Sequence, residues 1–129
     1  MNCIFCKIIE KEIPAHIVYE DEDFLAFLDA VPVRMGHTLV IPKKHDADFT
    51  KLDEDTYTKL MNVVHKIAQK MEKEIAPLKV GMMIQGFDVA HVHVHIIPLE
   101  DAHDISTRRI SDRTNSTKEF EEMSKLLHM

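Results

Sequence analysis

Three histidines alternate with aliphatic residues at positions 91–98, in the order His-Val-His-Val-His-Ile-Ile-Pro. Successive side chains of a strand point to opposite faces, so His91, His93 and His95 would share one face and the aliphatic residues the other. Same-face neighbours lie about 6.6 Å apart, close enough for adjacent imidazoles to act on different atoms of one small anionic group. We therefore predict a strand with an imidazole row opposite a core face, ending at Pro98, where a ladder donor is missing.

Taken alone, this pattern leaves two other interpretations open. His-x-His on a strand also suits a catalytic metal, and a plain surface strand is the third possibility. The only cysteines, Cys3 and Cys6, stand too close together for an ordinary structural disulfide. In a reducing compartment a Cys-x-x-Cys pair more often holds a metal, the alternative being two small buried hydrophobic side chains.

The composition limits the class of protein. The chain has 129 residues, of which 45% are hydrophobic and 29% charged, as expected of one soluble globular domain spanning residues 1–129. Its net charge of -6 disfavours broad binding to nucleic acid or to a membrane surface, although one bound nucleotide is compatible with it. Neither a spanning apolar run nor a signal-peptide pattern is present, so we expect a cytoplasmic protein.

The segments that would position the histidines follow an α+β order. Helical spacing of apolar residues predicts a short N-terminal helix within residues 3–9. β-branched and aromatic runs bounded by turn residues predict strands at residues 16–20, 24–28, 37–42, 80–85 and 91–97. The first two strands should form a hairpin, and the short link between the last two predicts an antiparallel pair.

Two further helices complete the prediction. Acidic residues at positions 53–55 suit the first turn of the longest helix, which should end at Pro77 and cover one face of the sheet. Ser116 and Glu119 fit the capping box of a C-terminal helix with an apolar stripe that includes Phe120. The polar stretch 99–115 between them shows no periodicity. The fold class is thus α+β, with a mainly antiparallel sheet.

Taken together, these segments resemble the histidine triad (HIT) family, whose signature His-φ-His-φ-His-φ-φ is matched by residues 91–97. Further matches, in the family's order, are at residues 3–9, 12–14, 19–21, 25–29, 36–45 and 86–98. The resemblance covers about residues 1–100 and points to the zinc-bearing, bacterial-type branch similar to nucleoside phosphoramidases of the Hint kind. It implies a HIT-like fold, a homodimer formed through the long helix and an adjacent strand, and hydrolysis or transfer at the α-phosphate of a purine nucleotide or nucleotide conjugate.

The residue chemistry agrees with that implication. An exposed imidazole with an unperturbed pKa near 6.5 is mostly neutral at pH 7, so it presents a nucleophilic nitrogen without a separate base. His93 would attack the α-phosphorus of an AMP-linked phosphoramidate or anhydride, and water would then cleave the nucleotidyl-phosphohistidine. His95, as an N–H donor, would stabilise charge on the phosphate oxygens. The family assigns these same roles to the middle and third triad positions.

The resemblance also implies a set of binding residues. Asp29 corresponds to the acid that holds the ribose hydroxyls, and His37 to a further histidine near the site. Phe5, Ile8, Phe27 and Leu28 are positioned like the apolar residues around the base. Cys3, Cys6, His45 and His91 match the ligands of a structural zinc, a Cys₂His₂ set of the closed tetrahedral type. That zinc would remove His91 from the chemistry.

Several residues depart from the family pattern. Phe87 stands where many members have Gln, and the usual Asn-containing loop before it is missing. Asp88 replaces a small hydroxyl residue, which slightly favours an amine leaving group over a second nucleotide. A dinucleoside polyphosphate hydrolase, a metal-dependent hydrolase and a non-catalytic nucleotide-binding protein therefore remain alternatives. The residues expected to have no special role are His16, His65, His103 and His128, together with the solvated Arg108, Arg109 and Arg113, although one arginine could reach a phosphate.

Overall fold

The computed structural model describes residues 3–105 and 116–129. The helices are α1 (Ile4–Ile9), α2 (Glu54–Ile75) and α3 (Thr117–Leu127), with a 3₁₀ turn at Phe49–Lys51; the strands are β1 (Ile17–Glu20), β2 (Phe24–Leu28), β3 (Thr38–Pro42), β4 (Lys79–Met83) and β5 (Val94–Leu99). The strands form one antiparallel sheet in the order β1-β2-β3-β5-β4. The predicted α+β fold is confirmed. Within the described ranges, no helix has the length and apolarity needed to cross a membrane.

Local signals place the ends of these elements. Asp21 closes the β1–β2 hairpin because its Oδ1 accepts hydrogen bonds from the N–H groups of Asp23 and Phe24, both at 2.7 Å. The side chain of Asp53 caps α2, which ends where Ala76 takes a left-handed φ of 53° just before Pro77. The predicted capping box of Ser116 and Glu119 begins α3.

The sheet buries a different cluster on each face. On one face Val92, Val94 and Ile96 pack into the larger core together with the buried side of α2. On the opposite face, which we call the α1 face, a smaller cluster joins Phe5 and Ile8 of α1 to alternate residues of β2 and β3. The ring of Phe5 contacts His93 on this second face, with centroids 5.1 Å apart. The predicted alternation of imidazole and core faces is therefore confirmed.

The boundaries of the histidine strand differ from the prediction of residues 91–97. β5 begins at Val94, because the N–H of Val92 donates to the carbonyl of Asp46 in a loop and not to a neighbouring strand. Pro98 does not end the strand; it lies inside β5, opposite Val80. β3 pairs with β5 only as far as Ile96, so beyond that point the strand has a single neighbour and tolerates a residue without an N–H.

Candidate functional site

A cavity of about 390 Å³ opens on the α1 face, a volume within the usual range of small-molecule sites, about 300–1,000 Å³. It is bounded by α1, the end of β2, the segment that leads into β5, and α3. The predicted site residues that line it are Phe5, Ile8, Phe27, Leu28, Asp29, Asp88, His93 and His95. The structure thus brings together the residues expected around the base, the ribose and the phosphate.

His93 projects into this cavity with a defined tautomer. Its Nδ1 lies 2.7 Å from the carbonyl oxygen of His91, and because a carbonyl only accepts, Nδ1 must carry the proton. In the neutral ring the lone pair then lies on Nε2. The expectation of an exposed imidazole row is wrong: His91, His93 and His95 are all buried, since α1 and the neighbouring rings cover them.

The tautomer of His95 is determined by its hydrogen bond with His37. The N–H of Val33 donates to Nδ1 of His37 at 3.1 Å, so the proton of a neutral His37 is on Nε2. That nitrogen lies 2.9 Å from Nδ1 of His95, which must accept. Nε2 of His95 is therefore the protonated nitrogen. His37 does not line the cavity but fixes the ring that does.

Asp29 joins this histidine pair at the end of β2. Its Oδ1 accepts from the N–H of Val31 at 2.9 Å, and its own N–H donates to the carbonyl of His37 at 2.8 Å. Its Oδ2 lies 3.5 Å from Nε2 of His37. The carboxylate is buried on the cavity wall, and these contacts, at the end of β2 and just before β3, set its position relative to His37.

An ion pair braces the loop that carries these contacts. Arg34 donates from Nε and Nη2 to the two carboxylate oxygens of Asp104, at 2.9 and 3.1 Å, and its carbonyl accepts from the N–H of His37. Asp104 also accepts from the N–H groups of Glu100 and Asp101. These bonds, that from Arg34 above all, lower the pKa of Asp104 from 3.8 to about 2.

A second cluster stands beside the first, formed by Cys3, Cys6, His45 and His91, whose donor atoms lie within 4.8 Å of one another. Cys3 Sγ is 3.4 Å from His91 Nδ1, Cys6 Sγ is 3.3 Å from His45 Nδ1, and the two Nδ1 atoms are 3.1 Å apart. A tetrahedral zinc with ordinary bond lengths separates sulfur from nitrogen by about 3.5 Å and two nitrogens by about 3.3 Å. The four predicted ligands therefore fit one metal ion.

The protonation of this cluster also suits a cation. Nε2 of His91 lies 2.7 Å from the carbonyl of Pro42 and must donate to it, which leaves Nδ1 as the lone pair that faces the sulfurs. Burial lowers the pKa of His91, and burial together with Cys3 raises the pKa of the Cys6 thiol. A positive charge beside Cys6 would favour its thiolate, the form that binds metal, so the set could hold a metal ion such as zinc.

The structure also qualifies the departures from the family pattern. Phe87 is 89% exposed and does not line the cavity, whereas the next residue, Asp88, does.

His16, which we expected to have no special role, lines the cavity together with Phe120 of α3. No local sequence signal predicts that His16 and Phe120 line the cavity, because their position depends on where α3 packs. The three arginines discussed above, Arg108, Arg109 and Arg113, lie outside the described residues.

Comparison with known proteins agrees with this geometry. The HIT domain model matches residues 10–102 of the chain. An uncharacterised HIT-like protein from Borreliella burgdorferi is 35% identical over 135 residues, covering 99% of this chain and 97% of the relative. Adenosine 5'-monophosphoramidase from Schizosaccharomyces pombe is 38% identical over 103 residues, covering 76% of this chain and 74% of the relative.

Solved structures show the same likeness. A HIT-like protein from Bartonella henselae with an unknown ligand superposes with a TM-score of 0.85 at 34% identity, covering 98% of this chain and 93% of that one. A zinc-bound histidine triad protein from Mycobacterium smegmatis superposes with a TM-score of 0.80 at 34% identity, covering 98% and 91%. With the triad, the cavity and the Cys/His cluster in place, the chain belongs to the HIT domain family.

Proposed function

We propose that this protein is a nucleotide hydrolase or transferase that acts at the α-phosphate of an AMP-linked phosphoramidate or anhydride. The observation that carries the proposal is the tautomer of His93: its Nδ1 donates to a carbonyl, so in the neutral ring Nε2 carries the lone pair beside the cavity. An imidazole fixed in this tautomer beside a nucleotide-sized cavity is suited to nucleophilic catalysis at phosphorus.

The reaction proceeds in two displacements. Nε2 of His93 attacks the α-phosphorus, a P–N bond to the enzyme forms, and the bond to the leaving group breaks. Water then attacks the same phosphorus, the P–N bond to His93 breaks, and AMP is released. His95 directs its Nε2–H toward the phosphate oxygens, because His37 holds its Nδ1, and so stabilises the charge that develops on them.

The remaining cavity residues bind the nucleoside. The carboxylate of Asp29 is buried on the wall and accepts hydrogen bonds from the ribose hydroxyls. Phe5, Ile8, Phe27 and Leu28 form an apolar surface for the base, and their burial supports that role. Asp88 lies on the cavity wall with His93, and its carboxyl group would give one proton to the departing amine and take one back from the attacking water, which favours an amine leaving group.

Cys3, Cys6, His45 and His91 would hold a structural zinc, which ties the N-terminal segment to the start of the triad. The interatomic distances within the cluster support this assignment. Because all four positions of a tetrahedral ion are then filled by protein, this site supplies stability and not catalysis. His91 would then be a structural metal ligand, and its carbonyl orients His93.

The experiment is to incubate wild type and His93→Ala with adenosine 5'-phosphoramidate and with diadenosine polyphosphates, and to measure AMP release. We expect wild type to hydrolyse the phosphoramidate and His93→Ala to be inactive. Full activity in His93→Ala would contradict the covalent mechanism. Binding of AMP without turnover of any substrate would favour a non-catalytic nucleotide-binding protein, and faster release from diadenosine polyphosphates would favour that substrate class. Loss of turnover on chelation in the folded protein would favour a metal-dependent hydrolase.

We further propose a homodimer formed through α2 and β4. β4 is an edge strand of the sheet, and its exposed backbone groups are available for another chain. Met82 is 54% exposed on this strand and borders a groove of about 310 Å³ that is lined mostly by apolar residues of α2 and β4, together with His65 and Ile96. Sedimentation equilibrium should give a dimer for wild type and a monomer for Met82→Lys; a monomeric wild type would contradict the proposal.

A further inference from the structure

The cavity contains a stacked ring pair that the proposed chemistry does not use. The imidazole of His16 lies against the phenyl ring of Phe120, with centroids 5.3 Å apart and ring planes 12° from parallel. Both side chains line the cavity. Offset stacking of this kind is a favourable aromatic geometry, so Phe120 holds the imidazole in one plane and gives its nitrogens a fixed direction.

Both halves of the pair are anchored to the sheet. The N–H of Leu28 donates to the carbonyl of His16 at 3.0 Å, which places His16 opposite the residue that precedes Asp29. α3 is held at its end by the buried Leu127 and by the N–H of Met129, which donates to the carbonyl of Val18 at 2.9 Å. The stack is therefore part of the wall next to the carboxylate that we assign to the ribose.

The polar groups of the wall point to what this imidazole binds. Among the described residues, the side chains with polar groups that line the cavity are His16, Asp29, Asp88, His93 and His95. In the proposed function, Asp29 binds the ribose, and Asp88, His93 and His95 act on the phosphate and the leaving group. His16 remains, and no described residue hydrogen-bonds to its ring nitrogens. A neutral imidazole offers one donor and one acceptor, which can pair with the edge of a heteroaromatic base.

We infer that His16, held in plane by Phe120, hydrogen-bonds the polar edge of a purine base and determines base specificity. The inference rests on the proposed nucleotide function. The other residues around the base, such as Phe5, Ile8 and Phe27, are apolar and distinguish one base from another only weakly. A hydrogen bond discriminates against an analogue that lacks the matching group. Phe120 is a positioning residue in this arrangement.

The test measures affinity by calorimetry and needs no turnover. The ligands are AMP and three analogues that each lack one polar group of the base, namely purine riboside monophosphate, 1-deaza-AMP and 7-deaza-AMP. The variant His16→Phe keeps an aromatic ring on Phe120 and removes both nitrogens. We expect at least one analogue to bind wild type about 3- to 10-fold more weakly than AMP. In His16→Phe the ratio of the Kd of that analogue to the Kd of AMP should approach one.

Two further variants test the stack and the controls. Phe120→Leu keeps an apolar side chain but removes the ring, and should lose the same discrimination. Leu126→Ala changes an exposed residue of the same helix, and His128→Phe makes the same chemical change as His16→Phe at an exposed position; both should bind all four ligands like wild type. Unchanged discrimination in Phe120→Leu would overturn the role given to that ring.

The outcomes separate this inference from the proposed function. Equal ratios in wild type and His16→Phe would overturn base reading by His16, while hydrolysis of adenosine 5'-phosphoramidate by wild type would still support the proposed function. Discrimination that is lost in His16→Phe, in a protein without hydrolysis, would support the inference and reject the proposed enzyme. Failure of wild type to bind any of the four nucleotides would overturn both.

Discussion

His91 and His93 are two residues apart and use opposite ring nitrogens. His91 binds the backbone carbonyl of Pro42 through Nε2 and directs Nδ1 toward two cysteines, whereas His93 binds the carbonyl of His91 through Nδ1 and keeps Nε2 for the cavity. One backbone contact in each case selects the tautomer. The ring nitrogen that each of these two histidines presents therefore depends on which nitrogen the main chain occupies, and not on the residue type.

The residues around His91 and His93 also differ in their chemistry. The neighbours of His91 are soft ligands, Cys3, Cys6 and His45, at separations suited to a tetrahedral metal. The neighbours of His93 are His95 and, behind it, His37 with Asp29, a hydrogen-bonded group that sets a single N–H donor toward the cavity. The first cluster should therefore determine stability and the second should determine rate.

Loss of His93, the proposed nucleophile, should have the largest effect on rate. We expect His93→Ala to lower kcat/KM for adenosine 5'-phosphoramidate by at least about 1,000-fold, because the proposed covalent intermediate forms on Nε2 of His93 and alanine offers no nucleophile in its place. Its zinc content, measured by atomic emission, should equal that of wild type. His91→Ala is the matched variant and should lose zinc. If His93→Ala also lost its zinc, the division between the two clusters would be broken.

Substitution of His37, which hydrogen-bonds to His95, should lower the rate by a smaller factor. We expect His37→Ala to lower kcat about 10- to 100-fold with KM little changed, since His95 is then free to adopt the wrong tautomer. Steady-state kinetics provide the measurement. His37→Asn, which can still donate to Nδ1 of His95, should recover part of the loss. Wild-type kcat in His37→Ala would show that the tautomer of His95 does not matter.

Disruption of the Cys/His cluster should act mainly on stability. We expect Cys3→Ser to lose zinc and to lower the free energy of unfolding by on the order of 3 kcal/mol, or Tm by about 10 °C. Differential scanning calorimetry and metal analysis measure these quantities. At temperatures where the variant stays folded, kcat should remain close to that of wild type. A complete loss of activity in the folded variant would instead indicate a catalytic metal.

The smallest effect is expected from the ion pair between Arg34 and Asp104, which braces the loop next to His37. The pKa of Asp104 is lowered to about 2, so the stability that its ion pair contributes is present above about pH 4 and is lost as the pH falls toward 2. Urea midpoints between pH 5 and 2 should therefore fall more steeply for wild type than for Asp104→Asn. Asp55→Asn, at an exposed carboxylate, is the control and should follow wild type.

Some of this arrangement could be predicted from the sequence. Local signals such as the alternation at residues 91–97, the cap at Asp53 and the capping box at Ser116 predicted their elements, because the physics that forms them acts over a few residues. The Cys/His cluster joins residues 88 positions apart, and the family resemblance brought its members together where spacing alone could not.

Other features lay beyond local reasoning. The start of β5 was misplaced because the partner of Val92 is Asp46, a residue in a distant loop. Burial of the triad was missed because it depends on how α1 packs on the sheet. The contact between His16 and Phe120 follows from the docking of α3 on β1, which no short motif encodes.

The most direct test of the account is to identify the covalent intermediate. Wild type would be mixed with adenosine 5'-phosphoramidate in a single turnover, quenched in alkali and digested, and the adducted peptide identified by mass spectrometry. We predict an acid-labile adenylyl group on His93, formed and lost at rates that match turnover, with His91 and His95 unmodified. Turnover without any adduct on His93, or an adduct on another histidine, would contradict the division of roles in the triad.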